Sequence, residues 1–203
     1  MKKRYKESNT ILEDVLEIND DIVVNKRFTD IEFNDLIGIS FDNCEFINCT
    51  FKGKVKNSTF FNIKFQKCEM SNIIFLECGI HYSLFTNCHS VGTNFIDSKI
   101  KNSEFVNSHM KLSIFSSIEF DDVEFKDSNL SQSSISDSSF KNECIFEVCD
   151  MIELEVVNTK LKGVDVSSSK LEGLRVSPND LKGLIVTEVQ AIDLIYLLGV
   201  VIK

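Results

Sequence analysis

Residues 91–125 read VGTNFIDSKIKNSEFVNSHMKLSIFSSIEFDDVEF, and in this stretch Phe95, Ile100, Phe105, Met110, Phe115, Phe120 and Phe125 stand five apart. Working outward, the same spacing runs from Phe60 to Phe140 and is interrupted only at Ser90. A second series stands two residues before each large one, small or compact and rich in Ser and Cys: Ser98, Ser103, Ser108, Ser113, Cys68, Cys78, Cys88. Asn or Asp often precedes it, as at Asp97, Asn102, Asn107, Asp127 and Asp137.

Neither standard element can use a period of five. On a helix, successive Phe would drift by roughly 140° and scatter round the circumference. On a flat strand every second Phe would face water. A fixed period therefore predicts a repeat architecture in which the chain turns a corner every five residues and the large residue always points inward.

The fragments Cys44-Glu45-Phe46-Ile47-Asn48 and Ser103-Glu104-Phe105-Val106-Asn107 resemble the motif of the pentapeptide-repeat family. That resemblance covers residues 28–186 and implies an all-β solenoid, a right-handed quadrilateral β-helix with four repeats per coil. Residues twenty apart should then stack. One column would be Phe65, Phe85, Phe105, Phe125 and Phe146, and another Phe75, Phe95, Phe115, Ile135 and Val156.

The unbroken repeat argues for one domain in three parts: a cap segment at 1–27, the coil at 28–186, and a C-terminal helix and tail at 187–203. In the cap, Thr10 and Glu13 form a capping box, and Ile11, Leu12, Val15 and Leu16 a stripe. They predict a short amphipathic helix over the first coil, with an irregular cap as the alternative. Between Phe51 and Phe60 one residue is lost, with Lys56 in an apolar position. Past Phe140 one residue is gained, which predicts a bulge. From Val156 onward Val and Leu replace Phe, so the coil should narrow, and Pro178 marks a turn in the last coil. Thr187 and Gln190 form another capping box before an apolar helix that ends at Gly199. One face of this helix can cap the coil and the rest needs a partner. A homodimer is expected through Ile192, Leu194, Ile195, Leu197, Leu198, Val200 and Val201.

No apolar segment is long enough to span a bilayer. Lys2, Lys3, Arg4 and Lys6 precede no apolar core, so no secretory signal is read and the cytoplasm is the expected location. Cys44, Cys49, Cys68, Cys78, Cys88, Cys144 and Cys149 all fall at the small inward position, as compact filler rather than disulfides or ligands. Cys78 and Cys88 should point in while His81 and His89 point out, so neither zinc nor any other cofactor is expected. Polar residues are spread along a rod without convergence, so no catalytic set is read. Period six, which hexapeptide acyltransferases need, is absent.

The formal net charge is −9 and is unevenly placed. Residues 41–118 carry eight Lys against six acids. Residues 119–155 carry eleven acids, Glu119, Asp121, Asp122, Glu124, Asp127, Asp137, Glu143, Glu147, Asp150, Glu153 and Glu155, against Lys126 and Lys141. Fixed negative charge attracts a basic partner and raises its on-rate. The ending LIVTEVQAIDLIYLLGVVIK and the segment NKRFTDIEF are similar to those of the Qnr fluoroquinolone-resistance proteins and the microcin immunity protein McbG. This resemblance implies a dimeric, non-enzymatic DNA mimic. It would bind DNA gyrase and topoisomerase IV, touch no nucleic acid or membrane itself, and alter the response of the enzymes to poisons. Many Qnr proteins carry long projecting loops, for which the register here leaves no room. The alternative is an interaction scaffold with another protein partner.

Overall fold

The computed structural model describes residues 4–5 and 9–200 of the chain. Its local logic starts at the corners. Asn43, Asn48, Asn62, Asp97, Asn102, Asn107, Asp127 and Asp137 all have left-handed backbone, with φ between 48° and 55°. Asn and Asp tolerate that region because their short polar side chains bond locally, which explains their place before the small series. The next residue drops inward. The Ser128 hydroxyl lies 2.9 Å from the carbonyl of Lys126 and 3.2 Å from that of Phe105 on the preceding coil, and Cys68 Sγ lies 3.3 Å from the Phe46 carbonyl. The corner residue is thus small to fit and a donor to satisfy buried carbonyls. The seven cysteines are buried and free. Their thiols act as hydrogen-bond donors as well as filler, a role the apolar reading missed.

Four such sides make one coil, and each side stacks as a parallel column. The first side carries Phe41, Phe60, Ile80, Ile100, Phe120 and Phe140 inward. The second carries Phe28, Phe46, Phe65, Phe85, Phe105, Phe125 and Phe146. The third runs from Phe33 and Phe51 through isolated bridges such as Glu69 to His89 and His89 to His109. The fourth is an eight-stranded sheet carrying Leu36, Val55, Phe75, Phe95, Phe115, Ile135, Val156 and Val176. Both expected columns are present. Ring centroids in the second stand 4.5 Å apart from Phe65 to Phe85 and 4.8 Å from Phe105 to Phe125, with planes within 15°. Phe75, Phe95 and Phe115 stack at 4.9 and 5.1 Å. Such rings bury large apolar areas, so the column is the core.

The register breaks are local. The third-to-fourth corner is one residue short at Gly53, whose φ is 74° and where a Cβ would lie 2.1 Å from Asp35 Oδ1. Val55 takes the inward place and is buried, which leaves Lys56 outside. The extra residue after Phe140 is absorbed at the corner Lys141–Glu143 before the strand Cys144–Glu147. Beyond it strands shorten to Glu155–Val157, Val164–Asp165 and Arg175–Val176. An apolar void of about 10 Å³ among Phe146, Met151, Leu154, Val166 and Leu174 marks where Leu and Val replace Phe. Pro178 lies in a turn, as the sequence suggests.

The N-terminal helix is not formed. Thr10 to Leu16 contain only the short strand Glu13–Asp14, which pairs with Lys26–Thr29 at the edge of the coil, and Ile11 and Leu16 are exposed. So short a stripe cannot offset helix nucleation, whereas the open edge offers ready backbone partners. The C-terminal helix is formed at Glu188–Ile195 and is followed by a 3₁₀ turn at Tyr196–Leu198. Thr187 and Gln190 make the reciprocal cap, and Gly199 closes the end with φ 72°.

Candidate interaction surface: the acidic coils and the C-terminal helix

A five-residue side sends successive segments to successive faces. The acidic stretch 119–155 therefore becomes a ring rather than a stripe. Six of its carboxylates gather on the first and second sides and the corner between them: Glu119, Asp121, Asp122, Glu124, Glu143 and Glu147. The others are dispersed. Asp127 sits at the next corner, Asp150 on the third side, Glu153 and Glu155 at and beyond the following corner, and Asp137 at the last.

The gathered group is not bare charge. Glu119 lies 2.7 Å from both Lys101 Nζ and Lys141 Nζ, one coil before and one after. The bonds from these two lysines pull its carboxyl down to about 2. Asp121 is 3.7 Å from Lys101 and accepts a bond of 2.5 Å from Asn142 Nδ2. Glu147 pairs with Lys126 at 2.8 Å, which holds its carboxyl below the usual range. Asp122 and Glu124 are buried under Arg4, a cation that the sequence reading does not connect with them and that is itself only 5% exposed. Arg4 Nε donates to the Asp122 carbonyl at 3.2 Å and to its carboxylate at 3.1 Å, and Nη1 donates to Glu124. Nη2 stands 3.6 Å from Glu143. Glu124 stacks in register on Glu104 of the preceding coil, and its burial pushes its carboxyl up despite Arg4. Among the dispersed acids, Glu153 accepts from Gln132, Asp137 from Asn158, and Glu155 is 3.9 Å from Arg175. Sequence reasoning missed Arg4 and Glu104. Glu104 was legible as the residue twenty before Glu124, but nothing local links Arg4 to residues 118 places away.

The helix splits the residues named for dimerisation. Leu194, Ile195 and Leu197 are half-buried, and Leu194 packs against the core. Gln190 Nε2 pins the helix to the coil through the carbonyls of Val166 at 2.9 Å and Ser169 at 2.8 Å. Ile192 and Val200 are exposed, and so are Val189 and Tyr196, which the sequence reading left out. Val189, Ile192 and Tyr196 are spaced three and four apart and form one outward stripe. The Leu198 side chain and Val201 lie outside the described residues.

Among the described residues no group of three or more His, Cys, Asp or Glu is placed to hold a metal ion. Cys78 and Cys88 are buried, and His89 stacks outward on His109 with centroids 4.9 Å apart. No described helix is long and apolar enough to cross a membrane.

The family model described as the pentapeptide repeat region matches residues 58–135. No curated protein matches by sequence. Among solved structures, a trypsin-treated form of QnrB1, a plasmid-mediated fluoroquinolone resistance protein, is similar at 17% identity and TM-score 0.51. That match covers 95% of this chain and 97% of QnrB1. A second trypsin-treated form matches at 16% identity and TM-score 0.43, over 94% of this chain and 99% of the other. HetL, a pentapeptide repeat protein involved in heterocyst differentiation regulation from the cyanobacterium Nostoc, matches at 11% identity and TM-score 0.29, over 80% and 85%. Period, family match and coil geometry identify the chain as one that carries a pentapeptide-repeat region within a four-sided parallel β-solenoid.

Proposed function

We propose that the chain is a non-enzymatic DNA mimic that binds type II topoisomerases, DNA gyrase or topoisomerase IV, and modulates their response to quinolones or gyrase-poisoning toxins. The observation that carries this reading is the gathering of Glu119, Asp121, Asp122, Glu124, Glu143 and Glu147 on two adjoining sides of a stiff rod. Fixed carboxylates on a rod offer a DNA-binding channel the charge that duplex phosphates would offer. Likeness of the fold to QnrB1, a fluoroquinolone resistance protein, supports the choice of target. The exposed stripe Val189, Ile192 and Tyr196 supports a homodimer that would set two acidic ends about one axis.

The test is gyrase supercoiling with the purified protein titrated in, with and without ciprofloxacin. Rescue of poisoned gyrase would establish protection, and inhibition without rescue a mimic that competes with DNA. The variant D121N with E143Q and E147Q, which leaves the buried Asp122 and Glu124 in place under Arg4, should lose much of its gyrase binding while keeping its fold. Glu143 and Glu147 are the more exposed carboxylates of the group, so neutralising them removes charge without uncovering a buried guanidinium. A folded wild type without effect in either arm sinks the reading. One observation favours a second reading, an interaction scaffold for another protein. Much of the acid is paired between coils, which weakens the field at a distance. A pull-down without topoisomerase subunits but with one other protein in stoichiometric amount would favour it.

A further inference from the structure

We propose that the notch formed by Asp122, Glu124 and Glu143 is a guanidinium-binding seat for an arginine of a basic protein partner, and that the chain's own Arg4 occupies this seat as a tethered stand-in. The inference rests on the reading that the acidic sides meet a basic partner, and it names the point of contact and what holds it closed.

Three observations carry it. The first is chemical match. A guanidinium presents five N–H donors in a planar fork, and the notch offers a backbone carbonyl and three carboxylates round one volume. Arg4 engages two of its nitrogens there, Nε with Asp122 and Nη1 with Glu124. An ammonium would present a point charge and could not spread over these acceptors in the same way.

The second is electrostatic need. Glu124 lies in register over Glu104, and Glu147 is also within its range, so like charges crowd the second side. Like charges on neighbouring strands are destabilising unless a cation lies between them. Lys126 answers Glu147, and Arg4 answers Glu124 together with Asp122 and Glu143.

The third is that the occupant fits incompletely. Arg4 is 5% exposed, yet its Nη2 makes no hydrogen bond among the described residues and stands 3.6 Å from a carboxylate oxygen of Glu143. A buried donor left unmade is costly, so an arginine free of this chain's geometry can bind better atom for atom. What Arg4 has in its favour is its tether. It belongs to the same chain, nine residues before the strand at Glu13–Asp14 that is fixed to the coil edge, and a tether raises effective concentration without improving contacts. Arg4 therefore competes with a partner by mass action, and a partner's arginine gains access only in the open fraction.

The test measures fluorescence anisotropy of labelled hexa-arginine and hexa-lysine peptides at low salt. It uses the full chain, R4A, R4K, R4A combined with D122N and E124Q, and K52A as a charge control far from the notch. If the seat is closed in about nine molecules of ten, R4A should bind hexa-arginine about ten-fold tighter than wild type. The gain for hexa-lysine should be smaller, and D122N with E124Q should abolish the gain. R4K keeps the charge but loses the fork, and should still show most of the hexa-arginine gain. It serves as the second variant if R4A does not fold by circular dichroism. Equal binding by wild type and folded R4A or R4K overturns the proposal, and so does an equal gain for both peptides or the same gain in K52A. Those results would leave Arg4 as a structural clasp. Gyrase binding is read separately. If R4A gains hexa-arginine affinity while neither form binds gyrase, the topoisomerase reading fails and the arginine seat stands.

Discussion

At the scale of the residue, the corner dictates chemistry more strictly than the core does. Among the described residues twenty-four other than glycine hold left-handed φ, and Asn and Asp fill most of these places. Val148 is the β-branched exception among them, and it can be tested. It holds φ 54° although a β-branched side chain disfavours that region, and its side chain is more than half exposed. Its N–H donates to Ser168 Oγ at 3.0 Å, a bond that any side chain at this position would keep. Val148→Asn should therefore relieve backbone strain without removing packing, and stabilise the fold by about 1 kcal/mol. The reverse change, Asn107→Val, should cost more than that, since Asn107 also donates to Asn87 at 2.5 Å. Urea melts with unchanged slope would read both, and a neutral or destabilising Val148→Asn would show that the corner is not strained. The buried thiols follow the same corner rule. Burial pushes the Cys149 thiol up to about 11, which fits a donor held among carbonyls rather than a reactive nucleophile.

At the scale of the element, legibility followed the length and closure of each pattern. The period of five was legible because every side repeats the same burial, so thirty-odd sides report one geometry. The C-terminal helix was legible because Thr187 and Gln190 close its start and Gly199 its end. The N-terminal stripe of Ile11, Leu12, Val15 and Leu16 carried the same signs over too few residues, and pairing with the coil edge outcompeted helix formation. The outward face of the C-terminal helix was only half legible. The sequence marked Ile192 as apolar but could not tell which turn would face the coil, so Leu194 was named and Val189 and Tyr196 were not. This placement yields a prediction. If the exposed stripe is a dimer contact, the double variant I192E with Y196E should elute at the mass of one chain by light scattering while wild type elutes at two. The half-buried Leu194 would not serve, because its loss would loosen the cap itself. A wild type that remains a single chain at about 100 µM removes the dimer from the proposed assembly.

At the scale of the whole molecule, each coil touches only its neighbours, so stability is a sum over coils and the junctions between them. The ion pairs run along that axis. Glu119 ties three coils together through Lys101 below and Lys141 above, and this makes the solenoid's acid response predictable in sign. Its carboxyl titrates at about 2 in the folded chain and near 4.3 in an unfolded one. A depressed value means that the folded state holds the proton less tightly than the unfolded state. The stability Glu119 contributes is then fully present above pH ~4.3 and is lost as pH falls through about 2. Glu147, lowered by Lys126, adds to the same limb. Glu124 opposes it, because burial raises its value and the stability from its protonated form is lost as pH rises. Glu119→Gln isolates the first of these. The variant should be less stable than wild type at pH 7, by a margin that narrows between pH ~4.3 and 2 and closes below. Since both lysines reach solvent, 1 M NaCl should shrink the margin at pH 7 as well. Urea melts at pH 7, 4 and 2 would measure it. A margin independent of pH would mean that Glu119 acts through packing, and that the columns of charge do not bind one coil to the next.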